Sequence, residues 1–331
     1  QNEIAERVGE EFMDTYLEMY TDYLKNVKNM AKNSLSAYRR DIADFHRYLS
    51  SRGIGCAEEI SGADISSYAF ELKNSGRAAS TVHRKMASVR SYCLYLTGEG
   101  ILEENPARNI RPPRMEKKEI EYLSIQEVEA ILNAPDDSVK GLRDRAILEM
   151  MYGTGIRVTE ISSLRMSDVN FRIGFITCTG EYGKARIIPL GRPCREALER
   201  YLDESRPKLL ESYLRRRAEQ EMSGTESADD RDAGRNESPQ EYIFMNYHGE
   251  RLTRQGLWKI VRTYAKGAGV EKRLTPQILR NSFAVHMVQN GADLKSIQEL
   301  MGYEDAATAQ IYLTVTKNRI KEVYDKTHPR A

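Results

Sequence analysis

Cysteine is scarce in this chain and scattered. The 331 residues include four, Cys56, Cys93, Cys178 and Cys194, with no CxxC spacing among them. Histidine is nearly as rare, with five in all. A disulfide framework or a Cys/His zinc site is not expected, and neither is any other metal or cofactor. No apolar run approaches the roughly 20 residues that span a bilayer. The start, Gln1-Asn2-Glu3, carries no apolar signal core. A reduced, soluble, cytoplasmic protein is therefore expected, with no membrane partner. An excess of charge is missing too: 50 Lys and Arg face 49 Asp and Glu, for a net +1. A strongly basic total would announce a nucleic-acid binder; here any basic surface must be local.

What is present is enough chain for two domains, at 40% hydrophobic content. Up to about residue 110 the pattern is that of four helices. Phe12, Tyr16, Tyr20 and Leu24 recur at helical spacing, as do Leu35, Tyr38, Ile42, Phe45 and Leu49, with Ser34 placed to cap. Ser61 stands three residues before Asp64, a capping box. Ser80 precedes a helix carrying Val82, Met86, Val89, Cys93 and Leu96.

Residues 111–120 read as a linker. Arg111-Pro112-Pro113-Arg114 cannot continue a helix, because proline lacks the amide proton and restrains its predecessor. The second domain, 121–331, opens on a capping box at Ser124 and Glu127. A buried helix over 142–152 stops at Gly153-Thr154-Gly155, and a shorter helix follows over 156–164. Two strand-like runs, 174–179 and 185–190, flank a turn at 180–183. A helix is expected over 195–201, then a disordered loop over 211–240, where no large apolar residue lies between Met222 and Tyr242. A short strand near Tyr242 and a helix through Leu257, Ile260, Val261 and Tyr264 come next. Thr275-Pro276 opens another helix, and helix is expected onward to about Tyr324. The fold class is mainly α: a four-helix N-terminal domain, then an α+β domain of helices with a small antiparallel sheet.

A lone arginine on an amphipathic helix is usually solvated or salt-bridged. With 19 tyrosines in the chain, any one of them is a core aromatic by default. Order and context set three residues apart. Gly153-Thr-Gly-Ile-Arg-Val-Thr-Glu160 carries Arg157. Thr275-Pro-Gln-Ile-Leu-Arg-Asn-Ser-Phe-Ala284 carries Arg280. Gly291-Ala-Asp-Leu-Lys-Ser-Ile-Gln-Glu-Leu-Met-Gly302, continuing to Thr308-Ala-Gln-Ile-Tyr312, ends on a tyrosine. In this order, after an N-terminal helical bundle, they resemble the tyrosine recombinase (integrase) family, of the Xer type. The tail Lys321-Glu-Val-Tyr-Asp-Lys-Thr-His-Pro-Arg-Ala331 is similar to that type as well.

The resemblance implies a site-specific recombinase that cuts and rejoins DNA through a covalent 3′-phosphotyrosine, without metal. Such an enzyme serves chromosome dimer resolution or mobile-element integration and excision. Tyr312 would be the nucleophile. Arg157 and Arg280 would clamp the phosphate, since a guanidinium stays charged and offers a planar fork of donors to two oxygens. The N-terminal bundle resembles the family's SAM-like core-binding domain. Arg39 and Arg40 on one helix, and Arg84, Lys85 and Arg90 on another, would face double-stranded DNA, with Arg111 and Arg114 lining it from the linker. The family works as tetramers on two DNA sites, homomeric or shared with a paralogue. Here Ile320, Val323 and Tyr324 would dock the tail on a neighbouring subunit.

The chain departs from the family pattern at its proton-handling positions. Gln277 and Tyr303 stand where histidine is usual, and Asn281 follows the second arginine. In the turn Gly180-Glu-Tyr-Gly-Lys184 a gapless alignment puts Glu181 in the slot of the family's lysine acid; either Lys184 reaches the phosphate instead, or the acid is missing. His286 matches a family histidine but reads as structural. Two functions remain open: an active recombinase, slow or conditional, and a catalytically impaired paralogue that binds DNA as an accessory. A type IB topoisomerase shares the chemistry, but the separate bundle and the tail argue against it.

Overall fold

A computed structural model describes residues 2–110, 119–180, 184–223, 239–270, 274–303 and 308–313, with residues 2–13 described by backbone alone. The chain divides into two compact units, Gln1–Lys118 and Glu119–Ala331. Among the described residues no helix is long and apolar enough to cross a membrane.

The first unit holds α1 (Asn2–Asn26), α2 (Lys32–Ser50), α3 (Gly62–Asn74) and α4 (Ala79–Gly98). The periodic apolar positions converge as spacing requires: Tyr20, Leu24, Ile42, Phe45, Leu49, Met86, Val89 and Tyr92 are all buried. Ser61 and Asp64 form the reciprocal capping box that opens α3. Ser34 is not a cap. Helix α2 begins two residues earlier, after Ala31, with no side-chain cap, and α4 likewise begins at Ala79, one residue before Ser80. Backbone placement overrode capping chemistry at both starts.

Polar groups also bind α2 to α4. Asp41 is buried and ion-pairs with Arg84, while Ser88 Oγ donates to its Oδ2 at 2.9 Å. Lys85 is buried too, with its ammonium 2.5 Å from Asp44 Oδ2 and 3.5 Å from Asp41 Oδ1.

The second unit builds on α6 (Val139–Thr154) and α11 (Pro276–Gln289), which are buried along most of their length, charged residues such as Arg143, Asp144 and Arg280 included. Around them stand α5 (Ile125–Asn133), α7 (Val158–Ser163), α8 (Arg192–Arg200), α9 (Arg206–Ser223), α10 (Arg254–Gly267) and α12 (Leu294–Met301). Residues 308–313 form a last helical turn. A three-stranded antiparallel sheet, β1 (Val169–Asn170), β2 (Phe175–Thr179) and β3 (Ala185–Pro189), runs in the order β1-β2-β3. Strand β1 is too short for an alternating pattern to reveal it.

Four expectations need correction. The stretch 211–240, expected as a disordered loop, is helical at its start, because α9 continues to Ser223; residues 224–238 lie outside the described residues. Leu209, Leu210 and Tyr213 give the helix an apolar stripe, and Arg216 anchors it to the carbonyl of His248 and to Glu250. A five-residue π segment, Tyr201–Ser205, joins α8 to α9, so the helix does not stop at Tyr201. The strand expected near Tyr242 is only a pair of isolated bridges, Arg165 to Tyr242 and Met245 to Arg251. Finally, helix is not continuous toward the C-terminus. α12 stops at Gly302, whose φ of +62° puts it in the left-handed region.

Candidate active site

Four segments converge in the second unit. Helix α6 ends at Gly155 with φ +59°, and a Cβ there would lie 2.4 Å from the Phe283 ring on α11. Glycine alone allows both the left-handed turn and this approach. The turn delivers Arg157 to the N-cap of α7. Thr275 caps α11 by accepting from the Ile278 amide, with Pro276 at the first helical position. That start sets Gln277, Arg280 and Asn281 on the site side. The left-handed turn at Gly302 then brings Tyr303 and the 308–313 helix back over them.

Arg280 is only 3% exposed. Its guanidinium donates to the Gly155 carbonyl and, at 2.5 Å, to the Met301 carbonyl. Burial pulls its pKa below the ordinary arginine value, though a guanidinium remains charged near neutrality. Arg157 lies more open. It donates to the Gly302 carbonyl at 2.6 Å and to Glu160 at 3.1 Å. One ring meets both cations: Tyr303 lies 5.9 Å from the Arg157 guanidinium and 5.3 Å from that of Arg280.

Tyr312 is buried, and its hydroxyl is 2.9 Å from the Tyr303 hydroxyl and 3.3 Å from Asn281 Oδ1. The directions of these bonds follow from donor counting. Asn281 Nδ2 is committed to the Glu121 carbonyl at 3.1 Å, so its Oδ1 faces the site and can only accept. It takes Gln277 Nε2 at 2.9 Å and the Tyr312 proton. Tyr303 must then donate to the Tyr312 oxygen. Burial raises the Tyr312 pKa well above that of a free phenol, because the phenolate loses its hydration, while Arg280 opposes the shift.

The sheet joins this cluster through Arg186 on β3. Its Nη1 and Nη2 donate to the two carboxylate oxygens of Glu160 at 2.6 and 2.8 Å, and its Nε to the Leu300 carbonyl at 2.8 Å. Burial alone would raise the Glu160 pKa. The bonds from Arg186 and from the Arg157 amide outweigh it and hold the carboxyl below its usual range.

Of the residues singled out from sequence, Arg157, Arg280, Gln277, Tyr303 and Tyr312 share this cluster. Lys184 is exposed at the start of β3, and Glu181 lies outside the described residues. His286 is buried. Its Nε2 is 2.9 Å from the Leu123 carbonyl, so that nitrogen carries the proton, and Nδ1 accepts from Tyr152 at 2.9 Å. Both ring nitrogens are spent on packing. In the first unit Arg39, Arg40 and Arg90 are exposed. Arg84 is half committed to Asp41. Lys85 faces inward rather than out, because two carboxylates of α2 draw it there. Arg111, Arg114 and the tail with Ile320, Val323 and Tyr324 lie outside the described residues. Glu160 and Arg186 were missed. An arginine two positions from buried Ile188 on a short strand was the available signal.

Residues 121–319 match the phage integrase family, and residues 17–100 match its N-terminal SAM-like domain. The chain is 38% identical to the tyrosine recombinase XerD of Listeria monocytogenes, over 96% of this chain and 100% of the relative. The chain belongs to the tyrosine recombinases. Another relative, XerD of Halalkalibacterium halodurans, is 35% identical over 97% of this chain and 100% of its own length. The recombinase fold extends to solved structures at lower identity. The XerH recombinase bound to palindromic difH substrate after cleavage matches with TM-score 0.66 at 20% identity, over 93% of this chain and 82% of that one. A lambda integrase tetramer bound to a Holliday junction matches with TM-score 0.65 at 18% identity, over 90% of this chain and 76% of that one. The protein is thus a Xer-type site-specific tyrosine recombinase; the impaired accessory paralogue is not favoured.

Proposed function

We propose that Tyr312 is the nucleophile of this recombinase and that Arg157 and Arg280 clamp the scissile phosphate of double-stranded DNA. The observation that carries the reading is the Tyr303 ring, which meets both guanidiniums while its hydroxyl bonds Tyr312. The arginine donors rest on the carbonyls of Gly155, Met301 and Gly302. A phosphate takes over part of that donor set, and the charge developing on its oxygens meets fixed cations.

In the cleavage step the Tyr312 oxygen bonds phosphorus and the bond to the 5′-oxygen breaks. Lys184 gives that oxygen a proton, and the phenolic proton leaves to water. The 3′-phosphotyrosine keeps the bond energy for religation. Tyr303 donates to the Tyr312 oxygen throughout. Gln277 offers a hydrogen bond but exchanges no proton near neutral pH. Arg39, Arg40, Arg84 and Arg90 contact the DNA backbone from the first unit, joined by Arg111 and Arg114 of the linker. The lambda integrase tetramer on a Holliday junction is the model for a tetramer spanning two sites, alone or with a paralogue; the likeness to XerD supports work in chromosome segregation, in the cytoplasm.

The test is a nicked suicide substrate carrying the protein's site. Wild type forms a covalent complex that survives denaturing electrophoresis, and Tyr312→Phe forms none. Bound DNA with no wild-type complex refutes the assignment.

A further inference from the structure

Arg186, on β3, bonds two other segments of the site with one guanidinium. Two of its nitrogens bond both oxygens of Glu160, which in turn holds the amide of Arg157 at 2.7 Å and its guanidinium at 3.1 Å. The third bonds the carbonyl of Leu300, at the end of the helix that leads to Tyr303. The fit is tight. A Cβ on Gly302 would lie 2.9 Å from Arg186 Nη1. The side chain is only 12% exposed, and Glu160 only 10%.

Arg186 is also two residues from Lys184. Strand β3 pairs with β2 through Cys178 opposite Arg186 and Thr179 opposite Ala185, and the Gly180 amide donates to the Lys184 carbonyl at 2.9 Å. Side chains alternate along a strand, so Lys184 leaves the ribbon on the same face as Arg186. That face is the one turned to Glu160 and to the Leu300 carbonyl. The backbone between Arg186 and Lys184 is extended and short, so fixing one sets the origin from which the other reaches.

The geometry points to Arg186 as a positioning residue for leaving-group protonation: it indexes the β2–β3 hairpin, and with it Lys184, against the two segments that carry Arg157 and Tyr312. Arg186 acts by position rather than by contact with the phosphate: each of its three guanidinium nitrogens already donates to Glu160 or to the Leu300 carbonyl. A lysine in its place keeps the charge but cannot span both carboxylate oxygens and a carbonyl at once. The inference rests on the proposed role of Lys184 as the acid, and its test separates the two.

Single-turnover cleavage is measured for wild type, Lys184→Ala, Arg186→Lys and Arg186→Met, on two suicide substrates. One has the natural 5′-oxygen at the scissile bond and the other a 5′-bridging sulfur. A thiolate leaves without a proton, so the sulfur substrate bypasses the acid. DNA affinity and the melting temperature are recorded for each variant. General acid help is typically worth about 10²–10⁴ in rate, and an acid displaced from its place loses part of that. Both Arg186 variants are expected to cleave the oxygen substrate about tenfold to a hundredfold more slowly than wild type, with Arg186→Lys the milder. On the sulfur substrate both return to near the wild-type rate. A defect equal on the two substrates overturns the inference, since it places the damage in the arginine clamp or in the fold. The Lys184→Ala variant is judged separately. If sulfur rescues Arg186→Lys but not Lys184→Ala, the hairpin still positions the acid while Lys184 is not that acid. If Arg186→Met does not fold, Arg186→Lys decides alone.

Discussion

Replacing Tyr303 by phenylalanine isolates one hydroxyl. The ring stays, so its faces still lie 5.9 and 5.3 Å from the two guanidiniums and its stacking on Tyr312 persists. What disappears is the donor to the Tyr312 oxygen at 2.9 Å. In the resting enzyme this is a bond between neutral groups, worth about 0.5–1.5 kcal/mol net; as the oxygen gains charge on attack it becomes a bond to a charged group, worth about 1.5–3 kcal/mol. Only the difference, about 1–1.5 kcal/mol, slows the chemistry, which corresponds to roughly a tenfold loss of rate. The assay is single-turnover formation of the covalent complex at saturating enzyme, with DNA affinity measured alongside. Affinity stays unchanged because Tyr303 makes no phosphate contact in this reading. A variant as fast as wild type shows that the hydroxyl does not stabilise the attacking oxygen. A loss beyond about a thousandfold refutes the argument from the other side, since that is the scale of proton transfer rather than of one hydrogen bond.

Lys85→Ala should lower stability by about 3 kcal/mol in chemical denaturation, the low end for a broken buried pair because Arg84 and Ser88 still hold Asp41. It should leave the salt dependence of DNA binding untouched, whereas Arg90→Ala, at an exposed position, should reduce the slope of log K against log salt by about one; the reverse pattern would mean that Lys85 turns outward on DNA. His46 is buried against Tyr92, and burial lowers its pKa to about 4. The unfolded chain takes up that proton near pH 6.5, so the stability tied to neutral His46 is complete above pH 6.5 and declines as pH falls toward 4, by about 3 kcal/mol in all. Urea denaturation followed by circular dichroism at pH 7.5 and 5 should show a smaller loss for His46→Gln than for wild type, and an equal loss would refute the assignment. Gly155→Ala should melt well below wild type, because the left-handed φ and the Phe283 ring 2.4 Å from the new Cβ are both unfavourable; an unchanged melting temperature would show that the turn relaxes freely.

Helix positions were legible wherever apolar spacing was long and regular, as for Ile42, Phe45 and Leu49 or Met86, Val89 and Cys93. Helix starts were less so. Ser34 and Ser80 have capping chemistry that the backbone does not use, because the chain turns into helix one or two residues earlier. The 211–223 stretch was misread for a different reason. Its polar residues outnumber its apolar ones, and a stripe as thin as Leu209, Leu210 and Tyr213 is drowned in an average over composition. Tertiary anchors such as Arg216 to the His248 carbonyl span 32 residues and leave no local trace.

The candidate site divides along the same line. Arg157, Arg280 and Tyr312 were readable because each sits in a short run whose residues are its neighbours in the fold. Asn281 was read only as a missing histidine. Its importance comes from Glu121, 160 residues away, whose carbonyl fixes the amide so that an acceptor faces Tyr312. Glu160 was quoted inside a motif without a role, since its partner Arg186 lies on another element. In each case the residue proposed to handle the substrate is marked by local sequence, and the residue that aims it is marked by a contact between distant segments. The departures Gln277, Asn281 and Tyr303 therefore make one unit rather than three separate losses. Gln277 and Tyr312 share the single Asn281 oxygen, and Tyr303 supplies the remaining donor to Tyr312. Restoring one histidine into this set, at Gln277 alone, would strip Asn281 of a donor without giving Tyr312 a new one, so a gain of rate from that change would have to come from the phosphate side of the site.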